Sequence, residues 1–332
     1  IADEAHNLGS NNISKVLPKI HLNHRIGLSA TPDRKFDDIG NTSIEDFFND
    51  KPPFVYSYTM QQAMDKGWLC KYKYYPHIVK LTDIELAEYV KKSKQLIKYF
   101  DNQTKRYKDC KEVEILLLER KRIIHKAHNK LSVFKKILED EFSERGNLKY
   151  TLVYVPEGIE PKYDDIDDYI EDQDDISLIN EYTRAVSNTD SSIMVKQYTS
   201  NTVNRNDVIK GFQQGKIDVL TSMKCLDEGV DVPRSELAIF CASTGNPRQF
   251  IQRRGRVLRT HPDKTFAVIH DLVVVPNIDD DTTFEMEKNM IKKELERVVD
   301  FSNLAMNKID TYNELRPILN HYNLNLYDSQ ND

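Results

Sequence analysis

Apolar positions change their period twice along the chain. From Asp83 to about Glu144 they recur at three and four residues, through Ile115, Leu118, Ile123 and Ile124 and then Leu131, Phe134, Ile137 and Leu138. No proline interrupts this stretch, so it reads as helical. Thr82-Asp83 followed by Glu85 supplies a helix start. After Gly146-Asn147 the pattern becomes short apolar runs between turn residues. Tyr150–Val155, Ser192–Tyr198, Ile217–Leu220, Leu237–Cys241 and Thr265–His270 read as strands. Asn204–Gln214 and Pro247–Leu258 read as helices, the second with proline in its first turn. This alternation over residues 150–272 predicts βαβ units and a mainly parallel sheet, and residues 283–310 read as helical again. Ahead of Asp83 the pieces are shorter. Ile1-Ala2 reads as the end of a strand, Arg25–Ser29 as a short buried strand, and residues 72–81 as an extended connector. No repeat of fixed period is present.

The 332 residues suffice for two domains. No apolar run approaches the roughly 20 residues that span a bilayer, and Ile1 opens into IADEAH without a basic-then-apolar leader. The four cysteines show no CxxC spacing, which argues against a zinc ribbon or disulfide framework and fits a reducing, cytoplasmic setting. With 47 Lys and Arg against 53 Asp and Glu the net charge is −6, a balance that by itself disfavours a polyanionic partner. Residues 157–175 (EGIEPKYDDIDDYIEDQDD) alone carry −9, however, and the other 313 residues sum to +3. The acidity therefore belongs to one block, read as a solvated loop or short helix.

Four stretches carry candidate chemistry. Asp3-Glu4-Ala5-His6 follows an apolar strand end, where adjacent carboxylates suit a magnesium–nucleotide site: one holds the metal through water and the other orients an attacking water. The same tetrad also arises by chance. Ser29-Ala30-Thr31 follows RIGL and is equally an ordinary turn. Thr221–Pro233 (TSMKCLDEGVDVP) places a hydroxyl pair at a strand end and a glycine, Gly229, that permits an unusual turn setting Asp231 toward a ribose or base; the bland reading is a loop with an acidic rim. In Gln252–Arg259 (QRRGRVLR), helical spacing puts Gln252, Arg256 and Arg259 on one face, where two guanidiniums embrace a phosphoryl group. The alternative is a solvated basic face, which Gly255 makes less comfortable because a mid-helix glycine costs about 1 kcal/mol relative to alanine.

Taken in order, DEAH, SAT, DEGVD and QRRGRVLR resemble motifs II, III, V and VI of the superfamily 2 helicases, especially the DEAH-type DNA helicases related to restriction-enzyme motor subunits and excision-repair helicases. The matching motifs span residues 1–34 and roughly 150–272. The resemblance implies an α/β fold: a RecA-like P-loop NTPase helicase lobe with a helical insertion and a partial first lobe. It implies ATP and Mg2+ as cofactors, with Asp3 on the metal, His6 near the nucleotide, and Glu4 activating water. Ser29 and Thr31 then couple ATP state to domain motion, and Gly229, Asp231 and Gln252 line the interdomain nucleotide site. Arg256 and Arg259 face the phosphates. Gln197 and Thr199, with Thr221 and Ser222, match nucleic-acid-contacting elements. The implied partner is DNA, single- or double-stranded, with RNA also open, together with other subunits of a restriction or repair complex and no membrane.

The implied domains are a first-lobe remnant (1–80), a helical insertion (81–147), a second lobe (148–275, with the acidic insertion at about 156–190) and a C-terminal helical extension (276–332). The family's phosphate-binding GxxxxGK[ST] loop is absent from these residues. The expectation is therefore the C-terminal part of an ATP-dependent DNA helicase or translocase, inactive by itself. The alternatives are an ATP-independent nucleic-acid-binding or scaffold module, or the motor subunit of a restriction or phage-defence complex. The lysines Lys91, Lys92, Lys94, Lys98, Lys105 and Lys108 either track a phosphate backbone or form solvated faces. Trp68 reads as a packing residue at the lobe junction.

Overall fold

The computed structural model describes residues 1–34, 37–101, 106–108, 110–156, 173–223, 232–242, 247–276 and 284–325. Its centre is a six-stranded sheet, parallel at every pairing, formed by β1 (Tyr72–Lys80), β4 (Thr151–Tyr154), β5 (Val195–Gln197), β6 (Val219–Ser222), β7 (Leu237–Phe240) and β8 (Ala267–Val275), in the order β1-β8-β7-β4-β6-β5. A separate two-stranded ladder pairs β2 (Phe100–Asp101) with β3 (Arg106–Tyr107).

The strand residues alternate between two cores, as a pleat with both faces covered requires. Leu152, Tyr154, Phe240, Ile269 and Val273 point to one face with α8 (Pro247–Val257), α9 (Phe284–Asn303) and α10 (Lys308–His321). Val153, Val155, Ile239, Leu272 and Val274 point to the other, beneath α5 (Asn129–Arg145) and α6 (Gln173–Thr189). The predicted strands and helices of residues 150–272 are present with ends shifted by at most three residues, except that the last strand runs on to Val275. The predicted start at Thr82 is a full capping box. Glu85 N–H donates to the Thr82 hydroxyl at 3.3 Å and Thr82 N–H donates to Glu85 at 2.9 Å, opening α3 (Asp83–Ile97). Between α3 and α5 lies α4 (Lys111–His125).

Three readings are corrected. Residues 72–80 are not a connector: they are strand β1, paired with β8 from Tyr72 to Lys80. Its outer edge is covered by the start of α10, where Asn307 Nδ2 and the Thr311 hydroxyl donate to Tyr74 O at 3.0 and 3.2 Å and Asn307 Oδ1 accepts from Tyr74 N–H at 2.8 Å. Such cover silences an edge that would otherwise pair with another chain, and an edge strand also tolerates Pro76. Residues 129–145, assigned to an insertion, supply the α5 core residues Phe134, Ile137 and Leu138 to the sheet itself. Ile26 and Leu28, assigned to a buried strand, are exposed, and that segment pairs with the N-terminus at an isolated parallel bridge, Ala2–Gly27, rather than as a named strand.

An imidazole pair, His270 buried and His77 half-buried, ties β1 to β8 and α5. His77 Nε2 and His270 Nδ1 share a hydrogen bond of 2.8 Å, and His270 Nε2 meets Glu141 Oε1 at 3.0 Å. Burial, reinforced by His270 and Lys136, pulls His77 down to about 3 from its ordinary 6.5. An unfolded chain protonates this histidine near pH 6.5 while the folded one stays neutral, so unfolding takes up a proton between those limits. Stability is therefore fully present above pH 6.5 and falls as pH drops, with a slope from this group approaching 1.4 kcal/mol per pH unit. Urea titrations at pH 7.5, 6.0 and 5.0 are expected to show this decline and His77→Gln to flatten it; parallel slopes for the two proteins refute the assignment.

Candidate nucleotide-facing site

Backbone pairing sets the register of the first two motifs. Ala2 N–H donates to Ile26 O, Leu28 N–H to Ala2 O and Ala5 N–H to Leu28 O, each at 2.8 Å. This places His6 beside Ser29: Nδ1 and the hydroxyl are 2.9 Å apart, and Thr31 N–H donates to the same hydroxyl at 3.2 Å. Glu4 stands at φ 49°, a left-handed conformation uncommon outside glycine and asparagine, at the mouth of the 3-10 turn Ala5–Gly9. Its Oε2 lies 3.4 Å from His6 Nδ1. Asp3 is exposed and its Oδ1 accepts from Glu4 N–H at 3.0 Å.

The turn is buttressed from behind by groups that sequence reading did not single out. Arg34 Nη1 donates to His6 O at 3.0 Å, and Arg34 Nε donates to Asp37 Oδ2 at 2.6 Å. The other Asp37 oxygen caps α1 (Asp38–Phe48) through Gly40 N–H at 2.8 Å. Burial pushes the Asp37 carboxyl up, but Arg34 and the Gly40 N–H outweigh it and hold the group below its ordinary value. A Cβ at Gly9 would stand 2.9 Å from Gly40 O, so this helix docks on bare backbone. Arg34 lies two residues past SATP, and that proximity was the available signal.

The basic helix reaches this turn from the other side. Gln252 Nε2 donates to Glu4 Oε1 at 3.2 Å, across 248 residues of sequence. The four arginines of this stretch divide by burial. Arg253 is completely buried, its guanidinium 4.8 Å over the Tyr154 ring and its Nη2 3.4 Å from Met223 O. Arg254 is buried against Phe301, with Nη1 on Asp300 O at 3.0 Å and Nη2 on Asp300 Oδ2 at 2.7 Å. These two hold the helix to the sheet and to α9, leaving Gln252 and Arg256 on the partly exposed side. Arg259 does not share the helix as its spacing suggested. The helix ends at Val257, and Arg259 forms an antiparallel bridge with Leu69 while Cys70 N–H donates to Leu258 O at 2.8 Å. The Lys264 ammonium closes the end, donating to Val257 O and Arg259 O, a cation on terminal carbonyls. Nothing approaches within 4 Å of a Cβ at Gly255, so packing does not explain the glycine.

The remaining candidates lie at the strand ends. Gln197 Nε2 donates to Asn180 Oδ1 at 2.8 Å and to the Thr183 hydroxyl at 3.2 Å, and that hydroxyl meets the Thr221 hydroxyl at 2.9 Å. Asn180 and Thr183, on α6, were not anticipated. Thr221 and Ser222 are completely buried within β6, so their side chains do not face solvent. The Thr199 hydroxyl accepts from Asn201 N–H at 3.2 Å within its own turn. Gly229 and Asp231 lie outside the described residues, as do residues 157–172 of the acidic block.

Magnesium held through water by one carboxylate and by substrate phosphates needs an exposed carboxylate rather than a cage. Asp3 meets that requirement, and among the described residues no group of three or more His, Cys, Asp or Glu side chains forms a metal cage. No described helix is long and apolar enough to cross a membrane.

Residues 162–261 match the helicase conserved C-terminal domain. The chain is 26% identical over 264 residues to the DNA 3'-5' translocase XPB2 of Sulfurisphaera tokodaii, covering 78% of this chain and 55% of that protein. A second relative, assigned as the ATP-dependent helicase IRC3 of Saccharomyces cerevisiae, is 31% identical over 86 residues, covering 25% of this chain and 12% of that protein. Among solved structures, a fragment assigned as the HsdR subunit of a type I restriction enzyme from Vibrio vulnificus superposes with a TM-score of 0.50 at 18% identity, over 79% of this chain and 42% of that one. The chain thus spans about half the length of its longer-matching curated relative, and its parallel sheet flanked by helices is the RecA-like lobe that the motif order implied.

Proposed function

We propose that the chain belongs to the superfamily 2 helicases and is the part of an ATP-driven DNA translocase that carries the water-orienting carboxylate and the arginines of the nucleotide site. One contact carries the reading: Gln252 Nε2 on Glu4 Oε1 at 3.2 Å joins the acidic turn to the basic helix. Asp3 would hold magnesium, and Glu4 would orient the attacking water. Bound Mg-ATP supplies the phosphoryl group. Arg256 and Arg259 stabilise the charge that develops on it. The hydrogen bond between His6 and Ser29 links the acidic turn to the SAT segment, so a shift at one is felt at the other.

DNA is the proposed substrate track, supported by similarity to a DNA translocase. Subunits of a restriction or repair complex are proposed partners and the cytoplasm the proposed site of action. The proposed domains are those divided at 80, 147 and 275, except that β1 and α5 go with the sheet of the second lobe. The reading is tested by measuring ATP hydrolysis by the longer natural protein with and without single- and double-stranded DNA. Hydrolysis stimulated at least severalfold by DNA is expected, with no turnover from these 332 residues alone. DNA binding without any hydrolysis by the longer protein would favour the ATP-independent binding module instead.

A further inference from the structure

Lys264 is buried, and its ammonium ends on the backbone of the segment that follows the basic helix. It donates to Val257 O and to Arg259 O, the second at 2.9 Å, and the Cys70 thiol lies against it as a third partner. The adjacent carboxylate, Asp263, is exposed and pairs with Arg234 at 3.3 Å. Among the described residues, no carboxylate pairs with this ammonium. Lys264 N–H donates to His261 O at 3.0 Å, closing the turn that brings the side chain back. The segment is held from its other side as well. Leu69 and Cys70, beyond α2 (Met60–Asp65), pair with it: Leu69 bridges Arg259, and Cys70 N–H donates to Leu258 O at 2.8 Å. Burying an ammonium without a counter-ion is costly even when its donors are engaged. A lysine left in solvent caps a helix end at far smaller cost.

We infer that Lys264 is the positioning residue that aims Arg259 at the nucleotide site. This rests on the reading of Arg259 as a group that stabilises the transferring phosphoryl, and it names what sets that group's direction. The helix stops at Val257, so helical geometry no longer fixes where Arg259 points. A long side chain two residues past a helix end swings with every change of its backbone. Here the carbonyl of Arg259 itself is tied to a buried ammonium, and its flank is tied to Leu69 and Cys70. That leaves the backbone one direction, as a reacting group requires of its support. Misplacement by about 1 Å costs about a hundredfold in rate, so an anchor that never touches substrate controls turnover. A plain helix cap predicts otherwise: lower stability, with turnover of the folded protein unchanged.

Lys264→Met keeps most of the side chain's length and removes its donors. In the longer natural protein it is expected to lower kcat for DNA-stimulated hydrolysis by about tenfold or more, while KM for ATP stays within about twofold. In an Arg259→Ala background the same change is expected to have little further effect on kcat, because both act through one guanidinium. Backbone amide exchange, followed without ATP, is expected to quicken by about tenfold or more across residues 257–260 and to stay unchanged in β4 and β7. Urea titration checks that the variant is folded. Should Lys264→Met fail to fold, Lys264→Gln, which keeps one donor group, takes its place in the same cycle. Unchanged kcat in the folded Lys264 variant overturns the inference, as does an equal loss in the Arg259→Ala background or unaltered exchange at 257–260. Absent hydrolysis in the parent, or full activity in Arg259→Ala, counts against the motor reading instead, and the exchange result then decides alone whether Lys264 holds Arg259.

Discussion

Arg297→Met is expected to destabilise the fold by about 3–5 kcal/mol, the scale observed when one member of a buried ion pair is removed. Asp271 sits inside β8, completely buried. Its Oδ1 accepts from Arg297 Nη1 at 2.9 Å and its Oδ2 from the Tyr74 hydroxyl at 2.7 Å. Arg297, on α9, also donates to Glu294 at 2.5 Å and stacks 4.2 Å over Phe250 on the basic helix. Burial pushes the Asp271 carboxyl up, opposed by Arg297 and Tyr74. Without the guanidinium, that carboxylate is left in the core with one neutral donor. The methionine keeps most of the packing volume, so the loss is electrostatic rather than a cavity. Urea unfolding of the variant should show the drop, and Asp271→Asn added to it should recover part of it, because the uncompensated charge is then gone. A single variant within 1 kcal/mol of the parent refutes this role, and so does a double variant less stable than the single.

Glu4→Gln is expected to lower DNA-stimulated ATP hydrolysis in the longer protein by at least a hundredfold, within the range assigned to a positioned acid–base group, while the fold is unchanged. Glu4 is partly exposed and its contacts with Gln252 and His6 are polar. Glutamine keeps the shape and the Oε1 acceptor while losing the charge. Arg259→Ala is expected to cost about a thousandfold or more, as the removal of a transition-state guanidinium does; its backbone bridge to Leu69 survives the substitution. ATP affinity should change far less than turnover in both variants, because the groups act on charge that develops during reaction. Full activity in either variant refutes its assigned role.

Much of the candidate site's layout was legible because its motifs are local. DEAH, SAT and QRRGR are each a few residues long, and the Thr82–Glu85 capping box spans four. The arginines show the limit. Spacing correctly set Gln252 and Arg256 apart from Arg253 and Arg254, yet placed Arg259 on a helix that stops at Val257. The stop depends on Lys264 and on the bridge to Leu69, neither visible in the local pattern.

From the sequence alone came the order of motifs, the βαβ alternation and the two periods of burial, since side-chain period follows backbone geometry. Tertiary structure alone decided which segments meet. Tyr72–Lys80 is a strand because β8 lies on one side of it and Asn307 and Thr311 on the other. Asn129–Arg145 is core because the sheet lies beneath it. Trp68, assigned to packing, is exposed because no described residue covers it. Periodicity records that a residue is apolar, whereas burial is a property of neighbours that lie hundreds of residues away, as the contact between Glu4 and Gln252 shows.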